Sequence, residues 1–319
     1  MPRIVYSMHY NIRACGIEKL HPFDSCKYGR AMRRIREQLG AKRGEIIVAP
    51  RRPISRRDLL DVHSAAYLDR LRSPAYLAAA LEVPQVAQLP AGFVHYTVLR
   101  PMRWACAGTI LAGELALAHK FAINLSGGYH HAKPDAGEGF CIYNDIALLV
   151  HRLRSSARIA GDAQVAYVDL DVHQGNGVCH AFLHDHRVAI FDMYNRMTYP
   201  AYDREARERI DHAVPLDFGC ETARYLDLLR MHLPVFLDAM VAAGDVALVI
   251  YNAGTDILTG DPLGGLAVSR EGILARDAFV MDQALQREVP CVMLLSGGYT
   301  QESHAIIGDS VLQLLNRFI

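Results

Sequence analysis

Hydrophobic positions in this chain cluster into short unbroken runs instead of alternating with polar ones. Eight runs read as strands: Arg3–Ser7, Glu45–Ala49, Ala122–Ser126, Val165–Asp171, Val188–Tyr194, His212–Leu216, Val246–Ala253 and Pro290–Gly297. Several are continuous in Val, Ile, Leu and Ala, the pattern of strands covered on both faces. Helical periodicity fills the gaps at Met102–Lys120, Tyr143–Ser155, Thr222–Ala243 and Ser269–Gln286. The last opens on SREG, where a serine can cap the helix ahead of an apolar-periodic run. Strand alternating with helix predicts an α/β fold, a mainly parallel sheet flanked by helices on both faces. No linker rich in Gly, Ser or Pro interrupts the pattern, so residues 1–319 read as one domain.

Composition narrows the function classes. Half the residues are hydrophobic, and 34 basic residues balance 34 acidic ones. Zero formal charge gives no bulk attraction to nucleic acid or to a membrane surface. The basic stretch from Arg30 to Arg57 reads as a solvated helix and loop. Seven scattered cysteines, odd in number and without a CxxC pair, suit a reducing compartment; they argue against a disulfide framework and a cysteine zinc site. The opening PRIVYS reads as a strand, not a signal peptide. No apolar run approaches the roughly 18 residues of a membrane helix. The expectation is a cytoplasmic globular protein.

In open parallel sheets ligands bind beyond the carboxyl ends of the strands, and the unusual residues gather there. LSGGY occurs twice, at 125–129 and 295–299, each time after an apolar run. The first copy continues into His130 and His131, and the second ends at Tyr299. The run VAYVDLD leads into VHQGNG, placing Asp169, Asp171 and His173 at period two on one face. The run VALVIYNAG ends in Thr255-Asp256. Carboxylate and imidazole are good ligands for a divalent ion such as Zn²⁺, and a catalytic site needs three protein ligands with one position left for water. Asp171, His173 and Asp256 supply the three. Gln174, Gly175 and Asn176 follow His173, and Ile257 and Leu258 follow Asp256, so bridging acids for a second metal are missing.

With the ligands assigned, His130 and His131 are free to move protons near neutral pH. Asp169 and Asn176 are candidates to fix their tautomers, and the Tyr299 phenol can donate to a developing oxyanion. These parts describe metal-assisted amide hydrolysis. Other candidates read as bland: His180, His184 and His186 as surface histidines without an HExxH glutamate, Cys141 as a packed thiol, and His21 and His63 as structural.

The motifs GGYHHAKPDAGEGFCIYNDIA, YVDLDVHQGNGV, YNAGTDILTGDPLGGL and LSGGY resemble the metal-dependent histone deacetylase family of the arginase–deacetylase superfamily. HPFDSCKYG, FDMYNRMTYP and NAGTDILTGDPLGGL resemble its class IV branch most. The resemblance implies an eight-stranded sheet and one zinc held by Asp171, His173 and Asp256. It implies His131 as general base, His130 as its electrostatic and proton-transfer partner, and Tyr299 polarising the scissile carbonyl. Asp169 would orient His130 and help bind a monovalent cation, potassium. Phe140 and Tyr199 would wall an acyl-lysine tunnel, with Gly139 contributing a backbone contact. Two departures stand out: Asn176 replaces the aspartate of many class I members, and Tyr199 replaces a common phenylalanine. The expected activity is lysine deacylation, on acetyl or long fatty-acyl groups. The alternatives are hydrolysis of acetylpolyamines and an inactive acyl-lysine-binding protein; the complete residue set speaks against the second.

Overall fold

The strands of the computed structural model, which describes residues 2–40 and 46–318, are β1 Arg3–Val5, β2 Ile47–Val48, β3 Phe121–Asn124, β4 Gln164–Asp169, β5 Val188–Asp192, β6 His212–Ala213, β7 Val246–Asn252 and β8 Cys291–Leu294. They form one sheet in the order β2-β1-β3-β8-β7-β4-β5-β6. Every pairing is parallel. Each expected strand is present, and Glu45, Lys42 and Arg43 lie outside the described residues.

The strands stop earlier than their apolar runs. Beyond Asp169 and Leu294 the backbone exchanges strand partners for carboxylates. Asp171 N–H donates to Asp169 Oδ1 at 3.1 Å, Val172 N–H to Asp256 Oδ1 at 3.0 Å, and Gly297 N–H to Asp171 Oδ2 at 2.8 Å. Buried amides need partners of some kind, and here acidic side chains provide them.

Alternate strand residues feed two apolar cores. Val165, Tyr167, Ile190, Ile250 and Val292 pack with Ala112, Leu149 and Leu153 on one face. Ala166, Val168, Phe191, Tyr251 and Met293 pack with Leu229, Val280 and Val311 on the other. The expected helices are found at Arg100–His119, Asp145–Ser155, Thr222–Ala243 and Arg270–Gln286. Ser269 caps the last, accepting from the Gly272 N–H at 3.1 Å.

Register brings the site together. Asp169 pairs with Asn252, Asn252 with Leu294, and Leu294 with Asn124. The four central strands therefore end at one level, and the four motifs that follow them emerge side by side.

His63 braces the segment behind the histidine pair. Its Nε2 accepts from Asn144 N–H at 3.0 Å, and its Nδ1 faces the Pro134 carbonyl at 3.3 Å. Asn144 in turn donates to the Ala132 carbonyl at 2.7 Å. Burial pushes the His63 ring down from 6.5 to about 4, against the nearby backbone carbonyls that favour its charge. The unfolded ring charges near 6.5, so its contribution is intact above that pH. It is lost as pH falls towards about 4, by up to about 3 kcal/mol. Chemical denaturation at pH 7.5 and pH 5 should show wild type losing stability more steeply than His63→Gln; equal slopes would clear His63.

Candidate active site

The metal-ligand candidates meet as the strand ends dictate. His173 Nδ1 lies 3.1 Å from Asp171 Oδ1 and 3.4 Å from Asp256 Oδ2. Ligand bonds of 2.0–2.1 Å at tetrahedral angles separate neighbouring donor atoms by about 3.3 Å. The spacing fits one small divalent ion. Asp256 Oδ2 is also buried without a hydrogen-bond partner among the described residues. Among those residues these three side chains form the one cluster of metal-ligating groups. Burial, then the charge of Asp171, pushes Asp256 up to about 7, a strain that a cation relieves. The close packing explains a glycine: a Cβ on Gly297 would stand 1.9 Å from Asp256 Oδ2 and 2.6 Å from Asp171 Oδ2.

After β3 the chain turns, and His130 and His131 lie on one side with ring centroids 4.0 Å apart. His130 Nδ1 meets Asp169 Oδ2 at 2.8 Å, and His131 Nδ1 meets Asn176 Oδ1 at 2.8 Å. Each Nδ1 is thus engaged; His130 Nε2 faces Asp171 Oδ1 at 3.7 Å, and His131 Nε2 is left as the open position. Asp169 is itself held by the Tyr167 hydroxyl at 2.6 Å and by Asn252 Nδ2 at 2.9 Å. Burial opposes charge on His130, but the Asp169 and Asp171 carboxylates raise it to about 9. Burial and two neighbouring imidazoles hold His131 well below its ordinary value. One ring is poised as an acid and the other as a base, the separation expected of an acid–base pair.

Tyr299 stands edge-on to His173 at 6.0 Å, with its backbone N–H on Asp261 Oδ2 at 2.8 Å. Phe140 stacks on His21 at 4.4 Å and leans on Phe23 at 5.0 Å. Tyr199 stands edge-on to His131 at 4.9 Å. Gly139 has a left-handed φ of 54°, and a Cβ there would meet the His131 ring at 2.6 Å. His21, Glu82, Thr198, Pro262 and Leu263 surround the opening.

Some residues the sequence did not flag support this site. Lys27 is fully buried, and its ammonium donates to the carbonyls of Ser296, Gly297 and Gly298 at 3.1, 2.8 and 3.0 Å. Arg276, also buried, donates through Nη1 to the carbonyls of Leu170 at 3.1 Å and Gly254 at 2.6 Å. Both interrupt otherwise apolar helical stripes, Lys27 with Ala31 and Ile35, Arg276 with Ile273 and Val280. A cation in such a stripe was the available signal.

The reading of three surface histidines needs correction at His180. His184 and His186 are exposed, but His180 is partly buried, with Nε2 3.0 Å from Asp203 Oδ2. It joins Lys133, whose ammonium lies 2.9 Å from the same carboxylate. His21 does more than brace structure, since it borders the opening. Cys141 is buried, and burial raises its thiol well above the ordinary range, which leaves it inert. Among the described residues no helix is long and apolar enough to cross a membrane.

The histone deacetylase domain family model matches residues 21–315. Histone deacetylase 2 of Arabidopsis thaliana is 44% identical over 98% of this chain and 78% of its own. An uncharacterized protein of Picosynechococcus is 34% identical over 76% of this chain and 78% of its own. The solved HD domain of HDA15 superposes with a TM-score of 0.74 at 20% identity, covering 98% of this chain and 90% of that one, a likeness of fold. The chain belongs to the histone deacetylase family and is a hydrolase of the lysine-deacetylase kind.

Proposed function

We propose that the chain is a zinc-dependent lysine deacylase that cleaves the amide between the lysine ε-nitrogen and its acyl group in proteins or peptides. The observation that carries this reading is the placement of two oriented histidines beside one three-ligand cluster. Asp171, His173 and Asp256 would hold the zinc. When bound, the metal supplies a Lewis acid for the amide carbonyl and acidifies a water.

The chain's own residues do the rest. His131, with Nδ1–H on Asn176 and Nε2 free, takes the proton of the attacking water as its oxygen bonds to the carbonyl carbon. Tyr299 donates a hydrogen bond to the oxyanion that develops. His130, oriented by Asp169, keeps positive charge beside that oxyanion and assists proton delivery to the departing nitrogen. The proton taken by His131 passes to the departing nitrogen as the C–N bond breaks, and the acid so formed gives up its own proton to the amine, leaving a carboxylate and the lysine ammonium. Phe140, Tyr199 and the Gly139 backbone wall the path of the acyl-lysine. Potassium is proposed near Asp169, where Asp192 Oδ1 is buried without a partner among the described residues. We read residues 1–319 as one catalytic domain, since one sheet spans Arg3 to Leu294, and as nearest the class IV branch by HPFDSCKYG and FDMYNRMTYP.

A second reading extends the substrate to long acyl chains. Beside Phe140 lies a small apolar cavity lined by Ile12, Ile17, Leu81, Val86 and Val98, and Phe140 also lines the pocket of the histidine pair. Turnover of lysine peptides acylated from acetyl to palmitoyl tests this. Preference for long chains requires Phe140 to swing aside, and preference for acetyl keeps it as the tunnel wall. Glu82 at the opening is reason to include acetylpolyamines in the panel.

Two variants separate chemistry from assembly. Tyr299→Phe should lower turnover by about 100-fold or more with metal content and melting temperature unchanged; retained turnover would remove Tyr299 from the mechanism. Asp256→Ala should lose both metal, measured by elemental mass spectrometry, and activity. A chelator should abolish wild-type turnover, and added Zn²⁺ should restore it.

A further inference from the structure

Behind His131 and Asn176 the structure holds a polar cluster whose acids the mechanism above does not use. Asn176 presents Oδ1 to His131, and its Nδ2 carries two protons. One goes to Glu138 Oε1 and the other to Asp203 Oδ2 at 3.1 Å. Lys133 bridges these acids, 3.3 Å from Glu138 and 2.9 Å from Asp203. His180 completes the second carboxylate at 3.0 Å.

The two ends of an amide have nearly the same shape, so its partners decide which way it faces. An ionised carboxylate accepts and cannot donate. Two of them on Nδ2 leave Asn176 one orientation, with its oxygen towards His131. That oxygen accepts only, so His131 must carry its proton on Nδ1 and leave Nε2 bare. Asn176 is fully buried and Asp203 nearly so, so water is kept from the Asn176–Asp203 bond, while Glu138 is partly exposed at the opening.

The acids come from separate places. Glu138 immediately precedes Gly139 and Phe140, on one side of the opening. Asp203 closes the segment that begins at Tyr199, on the other side, and caps the short helix Arg204–Arg209.

We propose that Glu138 and Asp203 are positioning residues that lock the Asn176 amide and, through it, the His131 tautomer, tying both tunnel walls to the base. This rests on the deacylase reading for its kinetic consequence but not for its structural one. It also explains the departure at Asn176. An aspartate there would set a third carboxylate against two others that already share Lys133 and His180, and like charges at such contacts repel. The residue common in class I relatives is therefore the wrong one for this chain.

The test combines kinetics with imidazole ¹⁵N NMR, His131 being assigned by comparison with His131→Ala. Wild type should show protonated Nδ1 and bare Nε2 on His131. Glu138→Ala/Asp203→Ala, which removes both acceptors from the amide, should show a mixture of tautomers. Asn176→Asp should lower kcat by about tenfold or more with KM within about twofold, the scale of losing an outer-shell partner. Adding Asp203→Asn or Glu138→Gln to Asn176→Asp should recover most of that loss. Glu138→Gln caps no helix, so it reports even if the Asp203 variant folds poorly. Full activity in Asn176→Asp, no recovery in either double variant, or an unchanged tautomer in the doubly released protein would each overturn the lock. If wild type turns over no acyl-lysine, the deacylase reading fails while the spectra still decide the lock.

Discussion

Four carboxylates, those of Asp169, Asp171, Asp192 and Asp256, are fully buried at the carboxyl ends of β4, β5 and β7. A buried charge is costly unless it is paired or hydrogen-bonded, and the surrounding structure is organised by that demand. Imidazoles, backbone amides, a tyrosine hydroxyl and an asparagine amide turn towards the acids. Lys27 feels the charge of Asp256 and Asp171, yet burial still draws its ammonium down to about 8. A cation seated among Asp171, His173 and Asp256 would offset part of this charge, so metal binding there would be stabilising.

The parallel sheet makes such a concentration of charge possible. Its strands bury both faces, so their interiors must be apolar, and polar chemistry is displaced to the ends. Because the central strands end at one level, residues from four distant segments converge without long loops. The ends are kept open by glycines such as Gly297, where the ligand carboxylates occupy the space of a side chain.

Much of this was legible in the sequence because it follows from local rules. Unbroken apolar runs marked the eight strands, and period two put Asp169, Asp171 and His173 on one face. Adjacent histidines after a glycine pair pointed to a turn. The strand ends were overestimated because an apolar run does not show where backbone partners give way to side chains, as they do after Asp169. Lys27, Arg276, Glu138 and Asp203 were missed for a related reason. Their roles depend on partners more than 20 residues away or on orphan carbonyls; a cation in an apolar stripe hints at Lys27 and Arg276, but one-dimensional spacing does not name the partners. His180 was misjudged because its partner Asp203 comes from a different segment.

Arg276 gives the site an unexpected mechanical property. One guanidinium nitrogen bonds the peptide next to Asp171 and the peptide two residues before Asp256, and it is anchored on the helix Arg270–Gln286 outside the sheet. The separation of the two ligand arms is thus gauged from behind, as the jaws of a calliper are set by its pivot. A shift of that helix would move both arms together, so the spacing of the candidate ligands Asp171 and Asp256 depends on how that helix packs as well as on the strand ends.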